Sequence, residues 1–253
     1  MIGSIKQKDF FLKKCSTIAI ALENFCLTGD NEEIHRLRVE FKKVRALNSL
    51  IKECCKNSAI PAEFSNAKIV YRRAGVVRDA FISLQHAGVA GQNQAQAEFH
   101  RHASEEFCRR KDLHIKILAD WRDSVSDKFE NISKGRIAAY YSKWLSRLSD
   151  SFIMLDEDEL HEDRKIIKRL LYLYPLLNQK LKDSICLNTE YMDSLQEEIG
   201  KWHDTLIARE HETGSSAGNL KRIQKESKAR LNSIRMLTDN FSKKYALNKE
   251  VLS

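Results

Sequence analysis

The chain contains an internal repeat of about 126 residues, and a duplicated unit restricts the possible folds more than any local pattern does. The segment 30–43 aligns with 156–169 at an offset of 126, and five of the fourteen positions are identical. A second match pairs 74–81 with 199–206 at an offset of 125. The two matches occur in the same order and with nearly the same separation. We therefore predict two units built on one plan, 1–126 and 127–253.

Each unit is predicted to be helical. The 253 residues include only 2 Pro and 9 Gly, and apolar residues such as Leu37, Phe41 and Val44 recur at helical spacing, while no stretch alternates as a strand does. Turn-forming residues divide the chain into about eight helices. The predicted breaks lie at 28–30, 58–61, 88–93, 131–135, 150–156, 178–183 and 214–218. We expect an all-α fold of two four-helix bundles related by internal pseudo-twofold symmetry.

Both copies of the first repeated segment begin with the same pattern for a helix start. Asp30 and Asp156 can accept hydrogen bonds from first-turn amides, and Glu33 and Glu159, three residues later, can complete a capping box. This pattern predicts the position at which each helix begins.

The helix that follows each cap has cations on one face. At 100° per residue, Arg38, Lys42 and Arg45 lie within 80° of His35, and Lys43 lies 80° away on the other side. Leu37, Phe41 and Val44 occupy the opposite face. The second copy repeats this arrangement, although Leu171 replaces its last basic residue. The candidate anion-binding residues are His35, Arg38, Lys42, Lys43 and Arg45 in the first copy, and His161, Arg164, Lys168 and Arg169 in the second.

Such a face is costly for an isolated helix, because like charges four residues apart repel each other by a few tenths of a kcal/mol. Arg38 and Lys42 form one such pair, and Arg164 and Lys168 form the other. A polyanion bound to both faces would supply the missing negative charge. In the alternative interpretation, carboxylates from neighbouring helices neutralise the faces.

The second repeated segment contains a glycine followed by a basic residue and an aspartate. Gly75 and Gly200 interrupt helical patterns, where glycine costs about 1 kcal/mol relative to alanine, so we predict close packing of the helix backbone at both sites. Arg78 and Asp79 follow the first glycine, and His203 and Asp204 follow the second. We expect these residues to have a positioning role, with each aspartate orienting a side chain of the basic helix through a hydrogen bond.

Composition narrows the function classes. The net charge is +8, of which residues 1–126 contribute +6 and residues 127–253 contribute +2, and this excess favours an anionic partner. The six cysteines form no Cys-x-x-Cys pair, which is typical of a reducing compartment, so we expect a cytoplasmic location. No apolar run approaches the roughly 18 residues of a membrane span. We expect no membrane association, no cofactor, no metal and no catalytic residue.

The doubled His-x-x-Arg-x-x-x-Lys-[Lys/Arg] helix, followed about 40 residues later by Gly-x-x-x-Asp, resembles the CHAD family, the conserved histidine α-helical domain. The resemblance extends from about residue 4 to residue 247. It implies a non-enzymatic module that binds inorganic polyphosphate, or another linear polyanion, in a basic groove between the two repeats. It also implies an association with polyphosphate granules. The nine candidate residues above are those that match the family pattern.

Two other functions remain open. His203-Asp204 is similar to the metal-binding dipeptide of HD-type phosphohydrolases, with His35, His161 and Asp239 as further candidate ligands. RNA or single-stranded DNA could bind the same basic faces, although single-strand binders usually add stacking aromatic residues. The sequence does not determine whether the basic C-terminal helix, with Lys221, Arg222, Lys225 and Lys228, joins the site.

Overall fold

The chain folds into α-helices over most of its length. The structure, a computed structural model, describes residues 1–55, 58–86, 90–211 and 217–246. It is 86% helical, and the described residues form no strand, which confirms the all-α prediction. The helices of the described part are α1 (Ser4–Thr28), α2 (Asn31–Cys54), α3 (Ile60–His86), α4 (Ala90–Arg109), α5 (Lys111–Val125), α6 (Lys134–Met154), α7 (Leu160–Leu173), α8 (Gln179–Ile185), α9 (Thr189–His211), α10 (Ala217–Thr238) and α11 (Phe241–Lys244).

The helices belong to two compact units, Met1–Ser133 and Lys134–Ser253. The predicted boundary after residue 126 lies just beyond the end of α5. The order of neighbouring helices is similar in the two units: α2 packs on α1 and α3 in the first, and α7 packs on α6 and α9 in the second. The twofold relation between the units stays a prediction.

An aromatic cluster forms the core of the first unit. The rings of Phe11 and Trp121 meet edge to face with centroids 5.0 Å apart, and Phe41 stacks on Trp121 at 5.9 Å. All three side chains are buried, as are Leu37 and Val44. Full burial of a large apolar side chain contributes about 1.5–3 kcal/mol. The apolar stripe of α2 therefore faces the core, as its spacing predicts, and its cations face away from the core.

The second unit buries the equivalent stripe of α7. Ile167 and Leu170 are fully buried, and the hydroxyl of Tyr141 in α6 donates a hydrogen bond to the Leu170 carbonyl at 3.0 Å. The buried phenol thereby satisfies its polar atom inside the core. This packing determines which face of α7 is left for the cations.

The two capping patterns have different outcomes. Asp30 caps α2 by accepting a hydrogen bond from the Glu32 amide at 2.9 Å, but Thr28, and not Glu33, accepts from the Asp30 amide. Asp156 instead forms a turn with the Asp158 amide, and α7 begins at Leu160 without a side-chain cap. The prediction of a capping box was wrong in both copies. Thr28 takes the place of Glu33 at the Asp30 amide, and the Asp156 side chain is used in a turn that precedes α7.

One predicted break needs correction, and one break was not predicted. Residues 178–183 were predicted to break the helical pattern, but α8 covers most of them, and Asn178 caps this helix by accepting from the Leu181 amide. The break lies earlier, in the 3₁₀ turn Tyr174–Leu176 that contains Pro175. A further break separates α4 from α5 at Arg110. No Gly or Pro marks it, so composition alone did not indicate it.

Candidate functional site

The predicted basic residues of the first copy lie along one side of α2. His35 and Arg45 are exposed, whereas Arg38, Lys42 and Lys43 are half-buried. The packing of the opposite stripe into the core holds this side outward. Partial burial of charged groups raises the cost of holding them without counter-charge.

The side chain of Arg38 reaches the neighbouring helix α3. Its Nη1 donates a hydrogen bond to the carbonyl of Tyr71 at 3.3 Å, and its guanidinium lies 4.7 Å from the centroid of the Tyr71 ring. The guanidinium also covers Gly75, one turn further along α3, where a Cβ atom would overlap Nη1. The prediction that glycine allows close packing of helix backbones therefore needs correction, because an arginine side chain occupies this space.

Lys43 has a different environment from Arg38. Its ammonium group lies 2.6 Å from a carboxylate oxygen of Glu40, and Lys14 of α1 lies 2.7 Å from the other oxygen. Burial by itself would raise the pKa of Glu40, but hydrogen bonds from the two lysines lower this pKa below its ordinary value. Lys43 thus belongs to an ion-paired cluster that fastens α1 to α2.

The second copy places its arginine in the same way as the first. Arg164 of α7 donates from Nε to the carbonyl of Gln196 at 3.0 Å. Gln196 precedes Gly200 by one turn of α9, and a Cβ at Gly200 would approach the Arg164 guanidinium to 2.7 Å. The repeated sequence positions therefore correspond to a repeated contact between an arginine, a backbone carbonyl and a glycine.

Lys168 is half-buried one turn after Arg164. Its burial lowers the pKa of the ammonium group, and the positive charge of Arg164 lowers the pKa further. The carboxylates of Asp193 and Glu197 act in the opposite direction without reversing the shift. Burial and the neighbouring arginine thus disfavour the protonated form of Lys168, and a nearby anion would favour it.

Arg169 and His161 contact other rings of the second unit. The Arg169 guanidinium lies 3.9 Å from the centroid of the Trp144 ring. The imidazole of His161 stacks on that of His203 with centroids 4.5 Å apart. Burial lowers the pKa of His161, and the charges of Lys165 and His203 add to this effect. Protonation of His161 would add a cation to a surface that is already positive.

The four residues that were expected to have a positioning role have different surroundings from one another. Arg78 lies 3.9 Å from a carboxylate oxygen of Glu32 and 5.6 Å from the ring centroid of Phe81. Asp79 and Asp204 are exposed, and neither forms a hydrogen bond or an ion pair within the described residues. Among the described residues, these two carboxylates therefore have no hydrogen bond or ion pair through which they could orient the basic helices.

Several parts of the site were not predicted from the sequence. The carbonyls of Tyr71 and Gln196 hold the two arginines, and backbone acceptors carry no residue-type signal. The ring of Trp144 lies under the Arg169 guanidinium, a contact that the sequence did not predict. The sequence did contain one indication of these carbonyls, because each belongs to a residue four positions before a repeated glycine. Only the packing of the helices shows which side chain lies over that glycine.

Neither a metal centre nor a membrane span is found in the described ranges. They hold no group of three or more His, Cys, Asp or Glu side chains arranged to bind a metal ion. None of their helices has the length and apolar character needed to span a bilayer. His203 and His161, two of the candidate ligands in the phosphohydrolase interpretation, stack on each other with ring centroids 4.5 Å apart.

Comparisons with known proteins agree with this architecture. A model of the CHAD domain family matches residues 12–212. The crystal structure of the CHAD domain from the plant Ricinus communis has a TM-score of 0.59 and 16% sequence identity, and the match covers 94% of this chain and 91% of that one. Identity at this level shows a shared fold. None of the curated proteins compared with the chain matches it. Because the family model spans well over half of its residues, the chain belongs to the CHAD domain family.

Proposed function

We propose that the chain binds inorganic polyphosphate, without catalysis, through the basic faces of α2 and α7. The observation that carries this proposal is the state of Arg38 and Arg164. Each guanidinium donates to one backbone carbonyl, and neither has an ion pair with a carboxylate among the described residues. Since a guanidinium has five N–H donors, the others are left for phosphoryl oxygens.

The charges around these arginines favour an external anion. Lys42 follows Arg38 by one turn, and Lys168 follows Arg164 by one turn, so the two cations of each pair repel each other along the helix. The pKa of Lys168 is lowered first by burial and then by Arg164, so a bound anion beside its ammonium group would offset part of this shift. A bound polyanion would relieve both effects, which supports binding at these faces.

The aromatic residues favour polyphosphate over single-stranded nucleic acid. Proteins that bind single strands expose aromatic faces on which bases stack. Here Phe41 and Trp121 are buried in the core, and Arg169 covers the ring of Trp144. A linear phosphate chain needs only donors and positive charge. The polyphosphate binding implied by the family resemblance agrees with this. The expectation of one groove lined by both faces, and of granule association, stays a prediction.

A fourfold variant tests the proposal. Replacing Arg38, Lys42, Arg164 and Lys168 by alanine should abolish polyphosphate binding in isothermal titration calorimetry while the far-UV circular dichroism stays unchanged. The matched control removes four exposed cations that lie off the two faces: Lys6, Arg36, Lys180 and Lys243. Because both variants lose the same net charge, only a specific site predicts different results. Retained binding in the first variant, or equal loss in both, contradicts the proposal.

Competition and product analysis address the alternative functions. Polyphosphate should displace labelled single-stranded RNA at physiological salt, whereas RNA at equal phosphate concentration should displace polyphosphate poorly. Incubation with polyphosphate and divalent metal should release no phosphate. Tighter binding of RNA, or phosphate release by the chain, would replace the proposal with one of the other two interpretations.

A further inference from the structure

Gly75 and Gly200 are related by the internal repeat, and both lie under an arginine side chain. At Gly200, a Cβ atom would come within 2.9 Å of the Arg164 Cζ and Nε atoms, and at Gly75 it would overlap Arg38 Nη1. Real Cβ atoms do not approach other atoms this closely. At Gly135 of α6, by contrast, a Cβ would meet no atom within 4 Å. Hence the space above the two repeated glycines is occupied, and arginine occupies it in both.

The missing side chain brings each guanidinium down to the helix backbone. A carbonyl one turn before the glycine, that of Tyr71 or that of Gln196, accepts one of the arginine hydrogen bonds. Any larger residue would lift the guanidinium off the helix and break this bond. Both glycines lie inside long helices, where glycine is unfavourable relative to alanine. Helix stability therefore does not explain their presence.

We propose that Gly75 and Gly200 are positioning residues for anion binding, each acting through the arginine that covers it. The carbonyl anchors one N–H of the guanidinium and thereby limits the rotamers of a long side chain. The remaining N–H groups keep a fixed direction and can bind two oxygens of one phosphoryl group. Holding the donors in place before binding reduces the entropy lost when the anion arrives. This inference rests on the proposed function of the same faces.

Alanine at these positions should displace the arginine and leave the fold intact, since the obstructed atoms are the far end of a flexible side chain. Gly75→Ala and Gly200→Ala should each weaken polyphosphate binding about tenfold, as expected for loss of a hydrogen bond to a charged group. Gly135→Ala, the matched control, should bind within about twofold of the wild-type chain. All variants keep the same net charge, so a change in affinity reports position and not charge.

A double-mutant cycle distinguishes positioning from a general packing defect. If Gly75 acts through Arg38, then Arg38→Ala combined with Gly75→Ala should bind no worse than Arg38→Ala alone. The same holds for Arg164→Ala with Gly200→Ala. The double variants also remove the steric overlap, so they should fold even if a single glycine variant does not. Wild-type affinity in both glycine variants, or losses that multiply in the double variants, overturns the inference.

A second measurement needs no ligand. The Nε–H of Arg164 donates to the Gln196 carbonyl, so its NMR signal should exchange slowly with water in the wild-type chain and quickly in Gly200→Ala. If the wild-type chain failed to bind polyphosphate, the proposed function would fall. The Arg164 signal would still show whether Gly200 positions the guanidinium, and equal exchange rates in the two proteins would overturn the inference.

Discussion

At the scale of single residues, Lys168 and Asp163 are charged groups in surroundings that oppose their charge. Burial and Arg164 lower the pKa of Lys168. Asp163, on the same helix, is almost completely buried and accepts a hydrogen bond from the Ser151 hydroxyl at 2.6 Å. Burial raises the pKa of this carboxyl to about 6. Both shifts have consequences that can be measured.

Polyphosphate should raise the pKa of Lys168. An anion beside the ammonium group favours the protonated form, so binding opposes the effects of burial and of Arg164. A titration of the lysine side-chain NMR signals, with and without polyphosphate, measures the change, and sodium chloride at equal ionic strength serves as the control. By linkage, affinity should fall as pH rises through the pKa of Lys168 in the free chain. An unchanged pKa in the complex would place the anion elsewhere.

Asp163→Asn should stabilise the folded chain at neutral pH. The folded-state pKa lies near 6 and the unfolded value near 3.8. The unfolded state therefore releases its proton first, and the wild-type chain loses stability as pH rises from about 4 to about 6. Asparagine does not ionise, so the advantage of the variant should grow across this window and level off above it, at roughly 3 kcal/mol. Urea unfolding at several pH values measures it, and a pH-independent difference would contradict the argument.

At the scale of elements, α2 carries two kinds of exposed arginine. Arg45 lies on the basic face and has no ion pair within the described residues. Arg36 lies off that face, 3.5 Å from a carboxylate oxygen of Glu33. The two residues have the same charge on the same helix. Comparing their variants therefore distinguishes an effect of position on the basic face from an effect of net charge.

Arg45→Ala should weaken polyphosphate binding by about two- to fivefold, the range expected for one exposed ion pair. Arg36→Ala should leave affinity unchanged. The free energy of unfolding of Arg45→Ala should stay the same or rise slightly, because the substitution removes a cation near Lys42. Calorimetric titration and chemical denaturation measure the two quantities. If both variants lost affinity equally, binding would depend on net charge and not on the face.

Some features of the helices follow from the local sequence, and others do not. The apolar stripes of α2 and α7 were predicted correctly, because burial follows directly from a 3.6-residue period. The boundary between α4 and α5 was missed because no glycine or proline marks it. Helix α8 was missed because residues 178–183, which include its N-cap Asn178, were predicted to form a break. Lys43 pairs with Glu40 three residues before it on α2, but the second ion pair of Glu40, with Lys14, depends on α1, whose position no local pattern provides.

At the scale of the whole molecule, the net charge of +8 and its clustering on helix faces predict a steep salt dependence. By analogy with single-stranded nucleic acids, the logarithm of affinity should fall by roughly 0.7 per phosphate neutralised for each decade of salt. For four neutralised phosphates, a fourfold rise in salt should weaken binding by roughly fiftyfold. Titrations at several sodium chloride concentrations measure the slope. A flat dependence would exclude an electrostatic site.

The sequence by itself determined the all-α class, the family and the two helices that carry the cations, because periodicity and duplication can be recognised from the order of residues alone. It also singled out the repeated arginines and glycines. Only the tertiary structure decided that Arg38 lies over Gly75 and Arg164 over Gly200. These contacts join residues more than thirty positions apart, so they depend on how neighbouring helices pack and not on the order of residues within either one.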